Sequence, residues 1–222
     1  MDAPVLIKTY FPPEIKRSEI FRYAGVKTPD EKLNALLSEC LKETEGKLTY
    51  KVCYKTFPVT ANGNEIDLSF CKTTSKDLKV NLDGATEIIL FAATIGLYVD
   101  RLIAKYNLLS PVKALFFQAI GAERIESLCD AFNEDITNEL EKKGKFTRPR
   151  FSAGYGDFGI EFQKDIFAAL SVDKNIGVKL NDSLLMTPSK SVTAIIGVSD
   201  KKANRKEKCA DCKKDCPFRR TK

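Results

Sequence analysis

Histidine is absent from the 222 residues. That removes imidazole acid–base catalysis and imidazole metal ligands from consideration. Long apolar runs are missing too. The most apolar stretch, Ile88 to Leu97, is too short to cross a bilayer, so no membrane association is expected. The opening Met-Asp-Ala-Pro-Val-Leu-Ile-Lys has no basic region ahead of a long apolar core, so no secretory leader is expected. A disulfide framework is not expected either. The seven cysteines are an odd number, and Cys40, Cys53, Cys71 and Cys129 are scattered through patterned segments. They read as reduced, partly buried thiols of a cytoplasmic protein. Surplus charge is missing from most of the chain. Ten of the 36 Lys/Arg and four of the 30 Asp/Glu lie in residues 200–222, leaving 26 of each sign in residues 1–199. The net +6 therefore belongs to the tail, and the body has no global attraction for nucleic acid.

What is present has the apolar and charged fractions of a soluble globular chain, long enough for one large domain. Residues 1–27 read as an arm. It holds a short strand at Val5–Ile7, a break at Pro12-Pro13, and a short helix from Glu14 to Tyr23. Thr28-Pro29-Asp30-Glu31 reads as a helix start with Thr28 as N-cap, followed by Leu33, Leu36, Leu37, Cys40 and Leu41 on one face. Leu48, Tyr50, Val52 and Tyr54 then alternate as in a strand. Asn62-Gly63 signals a hairpin, and Ser75 to Leu82 a short helix. Glu87 to Thr94 reads as a buried strand. The Thr94-Ile95-Gly96 turn after it could bind an anion at a helix start, but a plain strand–helix turn is favoured. Ser110-Pro111 opens the longest helix, which runs to about Lys143. Gly121 within it suggests a kink or close packing. Glu123, Glu126, Asp130, Glu134 and Asp135 form its acidic side. Most of that side reads as solvated, and Asp130 stands out because it borders the apolar stripe.

The stretch from Arg148 to Val198 concentrates the chemistry. Gly154 and Gly156 bracket Tyr155, so the backbone can turn sharply and expose its own polar groups. Arg150 offers a planar, permanently charged fork suited to a carboxylate or phosphate. A cation, an aromatic ring and exposed backbone within a few residues suit a small polar ligand. An ordinary surface turn with a salt bridge fits the same residues. Another helix follows, with Phe162, Ile166, Phe167 and Leu170 on one side. A second hairpin is expected, pairing Leu184–Met186 with Val192–Ile196 across Thr187-Pro188-Ser189-Lys190. Strands in hairpins with helices between them predict an α+β fold, a single domain with a twisted, mainly antiparallel sheet flanked by helices. The domain should span residues 1–199, with a basic Cys-rich tail at 200–222.

That tail reads Cys209-Ala-Asp-Cys212-Lys-Lys-Asp-Cys216-Pro217. Three thiols this close can converge on one metal, and Cys ahead of Pro occurs at iron–sulfur ligands. A closed zinc or cluster site takes four ligands, and three are here. Zinc, an iron–sulfur cluster and a bare thiol-bearing tail all fit the spacing.

The chain resembles the S-adenosylmethionine-binding activation domain of cobalamin-dependent methionine synthase, in its stand-alone form. Arg150-Phe-Ser-Ala-Gly154-Tyr155 matches that family's Arg-x-x-x-Gly-Tyr motif. The block from Gly177 to Val192 matches a second one, and Phe91 to Gly96 with the long helix resembles the stand-alone proteins. The resemblance implies a single α+β domain with a twisted antiparallel sheet. It implies that Arg150 faces the methionine carboxylate, that the backbone of Ser152, Ala153, Gly154 and Tyr155 lines the ligand, and that Asp130 is an acidic contact. It also implies a role. S-adenosylmethionine is presented to oxidised cobalamin, and an electron from a flavodoxin- or ferredoxin-like reductant allows methyl transfer to cobalt. This chain departs from the large enzyme at Gly156, where that enzyme has proline, and at Ser199-Asp-Lys-Lys, which stands where it has a tyrosine pair. No cobalamin-binding or homocysteine-binding segment is present, so the partner would be a separate methionine synthase. Two other functions compete. One is a reductive reactivator of another corrinoid protein, with an iron–sulfur tail. The other is a non-catalytic ligand-binding regulatory module with a zinc knob.

Overall fold

The structure is a computed structural model and describes residues 4–202. In chain order its elements are β1 (Leu6–Thr9), α1 (Arg17–Tyr23), α2 (Glu31–Thr44), β2 (Lys51–Pro58), β3 (Thr60–Asn62), β4 (Glu65–Asp67), β5 (Lys72–Thr73), α3 (Lys76–Asn81), β6 (Glu87–Thr94), α4 (Tyr98–Leu109) and α5 (Pro111–Glu141). There follow β7 (Phe146–Thr147), α6 (Gln163–Leu170), α7 (Val172–Ile176), β8 (Lys179–Leu180), β9 (Met186–Thr187) and β10 (Ser191–Ser199). The main sheet has the order β1-β2-β6-β10-β7 with antiparallel pairing throughout. The chain is thus an α+β domain, as its pattern of hairpins and helices predicts.

β6 is central because it is apolar on both faces, as a strand covered on both sides must be. Ile89, Phe91 and Ala93 point into one core with Tyr50, Val52, Ala194 and Ile196, against Phe116, Phe117, Leu128 and Phe132 of α5. Ile88, Leu90 and Ala92 point into a second core with Cys53 and Ile195, against Phe158 and the apolar sides of α6 and α7. Period-two alternation in the strands thus sorts side chains between two helical layers.

Helix starts follow capping chemistry. Ser75 accepts the Leu78 N–H at 3.0 Å, and Ser110 accepts that of Lys113 at 3.4 Å with Pro111 in the first turn. At α2 the cap is Asp30, not Thr28: its carboxylate takes the Leu33 N–H at 2.8 Å. The physical reason is charge, since a carboxylate at the N-cap also meets the positive end of the helix. The Thr94–Gly96 turn is closed on itself. Gly96 N–H donates to Thr94 Oγ1 at 3.1 Å, and a Cβ on Gly96 would stand 2.5 Å from Thr49 Oγ1. Gly121 serves close packing: a Cβ there would stand 2.8 Å from Lys190 Cε and 2.9 Å from Val99 Cγ1.

The Asn62-Gly63 turn joins β3 and β4 in a separate small sheet. The second expected hairpin is corrected. Met186–Thr187 pairs with Lys179–Leu180, while β10 lies along the whole of β6 from Ser191↔Thr94 to Val198↔Glu87. A local hairpin would leave the apolar faces of β10 half covered. Pairing with β6 buries nearly all of them, and each buried aliphatic side chain contributes on the order of 1.5–3 kcal/mol.

The last core residue among those described is Val198. Truncation after Lys202 is therefore expected to leave the thermal midpoint within about 2 °C of the full chain, a shift worth less than ~1 kcal/mol for this size. A loss of cooperative unfolding by calorimetry would place the tail in the core.

Candidate functional site

After β7 the chain runs on beside β10 as an irregular edge. Arg148 N–H donates to Gly197 O at 2.7 Å, and Phe151 and Ile195 exchange hydrogen bonds at 2.9 and 2.8 Å. Pro149 between them has no N–H to give. This edge aims Arg150 at α5. Its Nη1 donates to Asp130 Oδ1 at 2.8 Å, and its Nη2 pairs with Glu126. Glu126 and Asp130 stand one helical turn apart on α5, so both reach one guanidinium. The Arg150 side chain is only 17 % exposed. Burial pulls its pKa down, but Cys129, Glu126 and Asp130 more than offset this and hold it up.

The structure thus brings together two of the sequence candidates, Arg150 and Asp130. Glu126, read from the sequence as part of a solvated face, joins them. Its spacing of four from Asp130 was the available signal. Glu123 is a correction of the same kind. It is buried beside Arg124, because the arm folds over it.

The remaining candidates form a tight turn that follows directly. Tyr155 N–H donates to Ser152 O at 3.2 Å, Gly154 N–H to Phe158 O at 2.7 Å, and Phe158 N–H to Tyr155 O at 3.0 Å. Gly154 has φ +91, a conformation that L side chains rarely adopt. Ala153 and Phe158 are buried in the second core, whereas Tyr155 is 69 % exposed. Gly156 is pressed against α3: a Cβ there would stand 2.1 Å from Asp77 Oδ2.

Asp157, which sequence reasoning passed over, fastens this turn. Its carboxylate accepts from the Ser75 hydroxyl and from the N–H groups of Lys76 at 2.8 Å and Asp77 at 3.1 Å. The Ser75 hydroxyl and these amides hold the Asp157 pKa below the usual carboxylate range. A depressed carboxylate contributes stability above its unfolded pKa of about 3.9, lost as pH falls through the folded value. Asp157→Asn should therefore lower the thermal midpoint at neutral pH, and the gap to wild type should narrow progressively as pH falls below about 3.9, the unfolded value. A gap that persists undiminished in acid would show that the carboxylate charge is not what fastens the turn.

Two cavities adjoin these groups. One of ≈ 60 Å³ lies between α1 and α5, bounded by Glu19, Tyr23, Glu126, Ser127 and Asp130, with room for waters only. An open groove of ≈ 550 Å³ lies beside Asp157, Ser75, Lys76 and Phe162. Among the described residues no group of three or more Cys, Asp or Glu is placed to hold a metal. Burial pushes the thiol pKa of Cys40 up to about 11 and those of Cys53 and Cys71 up to about 12, which keeps them protonated at neutral pH. Cys209, Cys212 and Cys216 lie outside the described residues. Among the described residues no helix is long and apolar enough to cross a membrane.

Fold and site together define an α+β domain that sets an arginine–carboxylate cluster and a glycine turn at one edge of an antiparallel sheet. The family described as "Vitamin B12 dependent methionine synthase, activation domain" matches residues 79–215, well over half of the chain, and the chain belongs to that family. Its fold is similar to that in the crystal structure of the MetH reactivation domain bound to AdoHcy. The TM-score is 0.62 at 15% identity, over 92% of this chain and 81% of that one. No curated protein matches the chain.

Proposed function

We propose that the chain binds S-adenosylmethionine at the Arg150 edge and presents it to the cobalamin of a separate methionine synthase for reductive reactivation. The observation that carries this is the charge pattern of the site within this family. Arg150 faces two carboxylates, Glu126 and Asp130, immediately before the Gly154–Tyr155 turn. An amino-acid head group carries the complementary pair: its carboxylate suits the guanidinium, and its ammonium suits the acids. AdoHcy, bound by the similar reactivation domain, is the demethylated form of this ligand and has the same head group. In the proposed reaction the sulfonium supplies the methyl group, the partner's cobalt receives it, and a flavodoxin- or ferredoxin-like donor supplies one electron. This chain's own residues bind and orient the methyl donor. Calorimetric titration of the full chain with S-adenosylmethionine tests the reading. Saturable one-to-one binding is expected, and no heat of binding at millimolar ligand would overturn it.

The tail sequence supports a finer reading. Cys209, Cys212 and Cys216 would hold an iron–sulfur cluster that passes the electron, with a fourth ligand from the body, from a partner or from a small molecule. Zinc on the same thiols is the rival. Anaerobic purification followed by iron and zinc analysis, and paramagnetic resonance after dithionite, should give iron and a reduced-cluster signal. Stoichiometric zinc without iron would sink the redox reading.

A further inference from the structure

We propose a second ligand site, distinct from the Arg150 edge, for a small anionic molecule with an apolar body. It is the groove of ≈ 590 Å³ between the Pro12–Arg17 arm, the last turns of α2 and the start of β2. This volume lies in the range of small-molecule sites, roughly 300–1,000 Å³.

The groove exists because the arm is pinned across the helices. Arg124 donates to the carbonyls of Pro13 and Glu14 at 2.5 and 2.6 Å, and Glu123 accepts the Lys16 N–H at 3.0 Å. Pinned this way, Pro13 and Ile15 of the arm line the groove together with Leu41 and Leu48. Ile15 remains 44 % exposed there. Preformed apolar walls of this kind favour binding, since little ordering remains to be done.

Charge selects the ligand. Arg17 and Lys42 both line the groove. Arg17 donates to Asn34 O at 3.0 Å and Ser38 Oγ at 3.1 Å, both neutral acceptors. Neither Arg17 nor Lys42 has a carboxylate within ion-pair distance among the described residues. Glu45 is the acid on the rim, and it forms no ion pair with either among the described residues. Two cations outside any ion pair among the described residues, against one acid on the rim and beside an apolar lining, complement an anion carried on an aromatic or aliphatic body. The same cations disfavour the chain's own basic tail as the occupant.

The test uses 8-anilinonaphthalene-1-sulfonate, an anionic aromatic probe, and its neutral relative N-phenyl-1-naphthylamine, titrated fluorimetrically into the full chain. The anionic probe should saturate one site, and the neutral probe should bind at least tenfold more weakly. Arg17→Glu with Lys42→Glu should raise the Kd of the anionic probe at least tenfold without changing calorimetric binding of S-adenosylmethionine. Lys42→Glu alone removes no side-chain hydrogen bond or ion pair among the described residues. It should give part of the loss even if the double variant folds poorly. Ser38→Trp, which fills the groove, should abolish saturation. Equal affinity for the two probes, or unchanged binding in Lys42→Glu and Ser38→Trp, would overturn the assignment.

Discussion

Glu123→Ala should lower the thermal midpoint on the order of 10 °C, from a loss of about 3–5 kcal/mol at ~2–4 °C per kcal/mol for a chain of this length. The reason lies in where the charge is left. Glu123 and Arg124 are each 2 % exposed, with Arg124 Nε 2.5 Å from Glu123 Oε2. Burial pulls the Arg124 pKa down, and Glu123 beside it more than restores it. Removing the carboxylate strands a guanidinium away from water. It also takes the acceptor from the Lys16 N–H and from the Ser127 hydroxyl at 2.8 Å. The pair reads as neighbours on one helix, but its work is tertiary: it fastens the arm across α5. A double variant, Glu123→Leu with Arg124→Met, should be less destabilised than the sum of the singles, because no lone charge remains buried. Thermal unfolding of wild type, Glu123→Ala, the Glu123→Leu and Arg124→Met singles and the double variant measures this, and a midpoint for Glu123→Ala within about 2 °C of wild type would contradict it.

Arg150→Ala should weaken S-adenosylmethionine binding roughly 10- to 150-fold, the equivalent of about 1.5–3 kcal/mol for hydrogen bonds to a charged group. Arg150→Lys should fall between, since it keeps the charge and loses the planar fork. Without ligand the fork is engaged by Asp130 and Glu126, so an incoming carboxylate has to displace at least one of them. Asp130→Asn separates two roles. A carboxylate that holds the ligand's ammonium makes binding weaker when neutralised, which is the expected result. A carboxylate that only competes for the guanidinium makes binding tighter when neutralised. Calorimetry on each variant, below its own unfolding temperature, reads the sign. Unchanged affinity in Arg150→Ala would remove Arg150 from the site.

Local pattern carried much of the architecture. Period-two alternation marked β2, and the continuous apolar run of Glu87–Thr94 marked the strand buried on both faces. Ser-Pro and Gly signals bounded α5. These are properties of neighbours in the chain, and sterics and capping act at that range. The α+β class follows from their order alone. The glycine turn around Tyr155 was equally legible, because it meets a backbone demand that is local: Gly154 sits at φ +91.

The tertiary structure decided what depends on pairing across distance. Met186–Thr187 and β10 could have paired locally, but burial of both faces of β10 against β6 outweighs one short hairpin. Of the acids of α5 only Asp130, beside the apolar stripe, stood out in sequence; the others looked alike, each a polar residue on a helical period. Packing separates them. Glu123 is sealed under the arm, Glu126 and Asp130 meet a guanidinium from 24 and 20 residues away, and Asp135 reaches Lys8 at 2.6 Å. No spacing rule links positions so far apart. Their meeting is set by which sheet edge the chain follows after β7, and that edge exists only once β10 has taken its place beside β6.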